Sequence, residues 1–265
     1  MLKSKRTIGV TLLAFAGYFF LDEAYFRILR QTLYDLIPQL GISHILTYLI
    51  VGIPIFMAVI GLSRTSSFFE RLGLNRSFIH GLLFALLCTL PMFVGYAMVF
   101  DYNASFTLDL FLITVLSAGF FEELYFRGFL FGQIYRYTRW GFIPSVFIGA
   151  VLFGLVHLYQ GTGLAEITGI FLVTFLGAIL FAWVFVEWNY NLWAPIFLHL
   201  LMNLSWDLFS VGTGALGDQY ANLFRMMTIA LVILGTIGYK KKRHQNMAVD
   251  RKTVWMKNGV PVSGS

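Results

Sequence analysis

Residues 108–135 read LDLFLITVLSAGFFEELYFRGFLFGQIY, and this run decides what kind of protein the chain is. It is long and apolar enough for a helix that crosses about 30 Å of hydrocarbon. Yet it holds Glu122, Glu123 and Arg127 well inside it. Ionised groups are costly there and are tolerated when they face a bundle interior or a wet cavity. The run therefore predicts a helix inside a bundle of membrane helices. Outward from it, apolar runs recur at 7–21, 44–63, 78–100, 142–159, 165–187, 192–211 and 222–239. The expectation is an all-α polytopic membrane protein of about eight transmembrane helices. It forms a single domain over 1–240, with a chemistry-bearing core at about 108–211 and a basic polar cytoplasmic tail at 241–265.

Composition agrees. Of 265 residues, 58% are hydrophobic and 12% charged, about half the charge of an ordinary soluble domain. Mean hydropathy is +0.75. A lone cysteine, Cys88, excludes an intrachain disulfide. The first run follows Lys3, Lys5 and Arg6 and has a signal-like Ala14-Phe15-Ala16. Because Tyr18–Leu21 prolong the apolar stretch, an uncleaved first span is expected. Residues 22–40 keep an apolar face, as a surface helix or an extension of that span.

With eight spans and the N-terminus in the cytoplasm, inner segments hold 15 of the 19 basic residues. Outer segments hold Arg27, Arg30 and Arg225, and Arg127 stays within the membrane. That asymmetry supports both termini inside. It explains a pI of 9.4 through topology and anionic lipid, with no nucleic-acid partner. The loop 64–77 is expected to pack at the inner surface. Asn103-Ala-Ser105 is a formal glycosylation sequon that matters only in a eukaryotic secretory setting.

The ionisable residues deep in the runs are read as Glu122, Glu123, Arg127, His157 and His199. Glu123 and Arg127 are four apart and can neutralise each other. Glu122 then points about 100° away around an α-helix, without a partner. Depth adds to this. Glu122 lies 17 residues before Arg139, and His157 lies 17 after Trp140. In a hairpin turning there, both sit up to ~25 Å from the turn. Counting from Asn189, His199 and Asn203 come 10 and 14 residues later, roughly 15 and 21 Å up. The four can share one layer. A lone buried histidine most often only packs, and His44, His80 and His244 are read that way. A carboxylate, two imidazoles and an amide at one depth are the parts that activate water and hold an oxyanion.

The series Glu122-Glu123-x-x-x-Arg127, Phe153-x-x-x-His157 and His199-x-x-x-Asn203 resembles the motifs of the CPBP intramembrane protease family, also called the type II CAAX prenyl endopeptidase or ABI family. The lead-in Asn191–Ile196 is similar to its pattern too. The resemblance covers about 110–210. It implies a glutamate-type intramembrane endopeptidase with a catalytic cavity in the bundle. Glu122 would be the general base, helped by His157, and His199 and Asn203 would stabilise the oxyanion. Glu123 and Arg127 would be a structural ion pair. The substrate implied is a membrane protein or peptide, and the setting a bacterial cell membrane. One Glu and two His also make a zinc set with an open position. No His-Glu-x-x-His is present, and Asn203 suits an oxyanion hole better than a zinc sphere. The expectation is therefore no metal cofactor. The rival classes are a transporter or proton relay and a non-catalytic bacteriocin-immunity scaffold.

Overall fold

The computed structural model describes residues 2–62, 68–212 and 214–257, without the side chains of Leu2 and Lys3. Arg64 in the inner loop and the last eight tail residues lie outside that range. The helices are α1 (Leu2–Leu36), α2 (Leu40–Val51), α3 (Ile53–Leu62), α4 (Phe68–Leu72), α5 (Phe78–Val99) and α6 (Leu108–Leu110). A wide helix, Phe111–Phe131, follows and runs into α7 (Gly132–Tyr137). Then come α8 (Phe142–Val156), α9 (Leu164–Glu187), α10 (Trp193–Leu208) and α11 (Gln219–Lys242). No strand occurs among the described residues beyond two isolated bridges, Tyr102 to Phe209 and Trp140 to Met256.

Helix starts follow capping chemistry. Ser77 accepts from His80 N at the start of α5, Thr107 from Leu110 N before α6, and Asp218 from Ala221 N at α11. Residues 22–36 extend the first span rather than lie on the surface, because no breaker interrupts the helix before Pro38. The second apolar run is bent by 42° between α2 and α3. The bend falls at Gly52, where a Cβ would run into the Tyr125 hydroxyl. That hydroxyl donates to Tyr48 O at 2.7 Å, so the approach of the bent span to the wide helix depends on the glycine.

Among the described residues, five helices are long and apolar enough to cross a membrane, six with the bent pair counted as one span. The eight expected from the apolar runs are not reached on that measure. Two runs fall short for identifiable reasons. α10 has 16 residues, about 24 Å of helix. The wide helix carries Glu122, Glu123 and Arg127. These are the two helices that bring the candidate site together. They meet closely, since a Cβ at Gly119 would lie 3.0 Å from the Leu200 backbone. Small residues at such crossings are how membrane helices approach.

The described part of the tail, through residue 257, packs on the bundle. α8 begins at Gly141 with no side-chain cap, so its first N–H groups need acceptors. Gly141 N donates to Trp255 O at 2.8 Å, Phe142 N to Thr253 O at 2.8 Å and Ile143 N to Val254 O at 2.9 Å. Ala248 N and Val249 N donate to Glu187 at 3.0 and 2.9 Å, and Lys240 Nζ meets the same carboxylate at 2.5 Å. The Lys257 ammonium donates to Tyr135 O.

Candidate active site

Two helices place the central groups. The wide helix winds with i to i+5 bonding, so the 100° step of an α-helix does not describe it. Glu122 and Glu123 both reach α10 rather than diverging. α10 is held at its start by Asn191, whose Nδ2 donates to Ser77 O at 2.9 Å and whose Oδ1 accepts from Trp193 N at 3.1 Å. Trp193 Nε1 adds a bond to Leu74 O at 3.0 Å. Asn189 and Tyr190 make the preceding turn with φ of 56° and 57°. Pro195 sits in the first turn, where its missing N–H costs nothing.

His199 lies between the two glutamates. Its Nδ1 is 2.8 Å from Glu123 Oε1, and its Nε2 is 3.9 Å from Glu122 Oε2. Arg127 Nη1 approaches the same Glu123 oxygen at 3.1 Å, a charge contact outside hydrogen-bond alignment. The Glu123–Arg127 pair is thus not isolated: one oxygen serves both the guanidinium and the imidazole. A carboxylate acceptor puts a proton on His199 Nδ1 and aims Nε2 at Glu122. At 3.9 Å that second contact is too long for a hydrogen bond. Glu122 Oε2 is buried and accepts no hydrogen bond.

His157 ends α8, with Nδ1 2.6 Å from Phe153 O. A carbonyl can only accept, so Nδ1 donates and a neutral ring keeps a lone pair on Nε2. Phe153 joins this histidine to the acidic cluster. Its ring has the Arg127 guanidinium carbon 4.3 Å from its centroid and the His157 ring at 4.5 Å. Asn203, one turn past His199, donates from Nδ2 to Thr114 O at 2.8 Å. One amide hydrogen remains for another acceptor. Glu122, Glu123, Arg127 and His199 therefore cluster directly, while His157 and Asn203 make their hydrogen bonds to main chain.

Two further carboxylates, the buried Glu187 and the half-buried Asp207, are engaged in the structure. Glu187 closes an apolar run. Asp207 continues the stripe His199, Asn203, Asp207 at steps of four, a helical signal that was available. Its carboxylate meets the Thr114 hydroxyl, which also lies 2.8 Å from Leu110 O. Asn103 donates from Nδ2 to Asp207 O at 2.9 Å and accepts from Ser105 N at 3.0 Å, so the formal sequon asparagine is engaged in structure.

A zinc ion would draw on the same donors. Among the described residues, no group of three or more His, Cys, Asp or Glu is placed to hold a metal ion. His199 Nδ1 is committed to Glu123, and His157 Nδ1 to a carbonyl. Those bonds leave Nε2 of each ring open, as on histidines that donate their other N–H to a carboxylate or carbonyl.

Residues 104–205 match a family model described as "Type II CAAX prenyl endopeptidase Rce1-like". The chain is also 35% identical over 82 residues to the Bacillus subtilis (strain 168) protein named "Putative membrane peptidase YdiL". That match covers 31% of this chain and 29% of the relative. The chain thus spans under a third of the length of the curated relative it matches. No solved structure matches.

Proposed function

We propose, for a chain that belongs through residues 104–205 to the type II CAAX prenyl endopeptidase (CPBP) family, that it is an intramembrane endopeptidase. It hydrolyses a peptide bond of a membrane-associated protein or peptide. The observation that carries the reading is the buried Glu122 Oε2, which accepts no hydrogen bond and faces His199 Nε2 across 3.9 Å. A desolvated carboxylate left unpaired costs stability. It also offers a free acceptor to a water held in reach.

In the proposed reaction Glu122 takes a proton from water while the hydroxide oxygen bonds to the substrate carbonyl carbon. The carbonyl π bond opens to an oxyanion. His199 keeps Nδ1–H on Glu123 and turns Nε2 toward the reacting oxygens, where a proton on Nε2 would donate to the oxyanion. Asn203 offers its remaining amide hydrogen. The C–N bond then breaks as the proton on Glu122 passes to the leaving nitrogen. Glu123, shared by Arg127 and His199, orients the imidazole in the way that partners outside a reacting centre commonly do. The His157 Nε2 lone pair helps hold the water. No metal takes part in these steps. The orientation proposed is both termini on the cytoplasmic side of a bacterial cell membrane.

The test compares membrane proteomes of cells carrying wild type or Glu122→Gln. A protein terminus present with wild type and missing with the variant is the expected result. Identical termini in the two would favour a non-proteolytic protein.

A further inference from the structure

α5 and α11 run antiparallel with a traceable register. Gly95 packs on Phe224, and Gly235 lies against Phe84. Each pair of positions sums to the same number, so the start of α5 stands beside the end of α11. Between the two helices lies a groove of about 380 Å³, within the range of sites that hold a small ligand. Leu83, Leu87 and Leu231 line it and are 53%, 66% and 41% exposed. Its back wall is Phe84, Cys88 and Trp188. The one indole N–H there is spent on Thr236 Oγ1 at 3.1 Å. The groove thus offers hydrocarbon contacts along its length and asks for no polar partner inside.

Its mouth is different. His80 and Tyr239 frame it. Lys241, Lys242 and Arg243 are exposed in and just past the last turn of α11. Exposed Arg76 lies just before α5, at the same end of the helix pair. Of the acidic groups toward this end, Glu187 and Asp250 are engaged, while Glu70 in α4 is exposed. Glu187 is buried against Lys240, and the Asp250 carboxylate accepts from Lys252 N and Thr253 N in its own turn. Among the described residues none of the four outward cations is in an ion pair. Completing the helix dipole accounts for cations on α11, but not for Arg76 before the start of α5.

We propose that this groove is a binding site for one anionic phospholipid of the adjoining leaflet. One acyl chain lies along Leu83, Leu87 and Leu231, and the phosphate sits among Arg76, Lys241, Lys242 and Arg243. An apolar slot ending in unpaired cations between membrane helices is the arrangement that selects lipid by headgroup charge.

The test is native mass spectrometry of the full chain in detergent, titrated with phosphatidylglycerol or phosphatidylcholine of the same acyl chains. Wild type should retain one phosphatidylglycerol at least tenfold more tightly than phosphatidylcholine. Neutralising the mouth (Arg76→Gln with Lys241→Gln, Lys242→Gln and Arg243→Gln) should abolish the preference. Leu87→Trp, a change on an exposed face, should fill the slot and lose the single bound lipid while melting like wild type. Gly235→Leu is a second plug, since a Cβ there meets only ordinary contacts at 3.6 Å or more. Equal retention of both lipids by wild type, or undiminished retention in both plugged variants, would overturn the site. The readout needs no proteolysis, so it stands apart from the catalytic reading.

Discussion

Glu187 and Glu122 are both buried carboxylates in apolar surroundings, and they are treated in opposite ways. Glu187 has Lys240 and two backbone amides on its two oxygens. It closes α9, α11 and the tail into one unit, and its charge is fully answered. Glu122 keeps an oxygen that accepts nothing, 3.9 Å from an imidazole nitrogen. Glu123, beside it, shares one oxygen between Arg127 and His199, and its other oxygen is also left without a hydrogen bond. Buried polar groups are almost always paired, so the saturated Glu187 fits a structural role and the open oxygen of Glu122 fits the reaction proposed above. Proteins commonly give up stability at the place where chemistry is done.

The largest expected effect is on turnover. Glu122→Gln should remove all cleavage of the substrate found by terminus mapping, and residual wild-type turnover would erase the contrast. Next comes the saturated partner. Glu187→Ala leaves Lys240 buried without its counter-charge and should destabilise by about 3–5 kcal/mol. Cleavage per folded molecule should stay unchanged, read by denaturation beside turnover of the surviving fraction. Asn203→Ala should lower turnover by about a hundredfold, the usual scale for one oxyanion donor. An unchanged rate would remove Asn203 from the reaction. The smallest effect belongs to Asp207. The Thr114 hydroxyl has one proton and two acceptors, Leu110 O and the Asp207 carboxylate. A donor at 207 settles the conflict. Asp207→Asn should therefore melt like wild type, while Asp207→Ala should lose about 1 kcal/mol. Equal losses in the two variants would show that no donor is needed there.

Much of this was readable in the chain. Long apolar runs marked the helices, and both hairpin turns fall where the polar and aromatic breaks at 138–141 and 188–192 put them. The motif residues were visible because charge and imidazole are rare in such runs. The winding of Phe111–Phe131 was not visible. Apolar periodicity does not separate i+4 from i+5 bonding when nearly every residue is apolar, so the α-helical step used for Glu122 does not describe this helix, in which both glutamates reach His199. The count of eight rested on apolar length, which the short α10 and the charged wide helix do not meet. The docked tail was hidden for another reason. Its partners are the uncapped N–H groups of α8 and the Glu187 carboxylate, and neither leaves a pattern in the tail's own residues.

The most direct measurement is thermal melting of Glu122→Gln beside Glu187→Ala in one detergent. A carboxylate held unpaired for reaction is a burden on the fold, so Glu122→Gln should melt at or above wild type. Glu187→Ala should fall by about 6 °C or more. A fall of that size in Glu122→Gln would mean that Glu122 is a structural carboxylate like Glu187, and that the cluster around His199 is not poised to activate water.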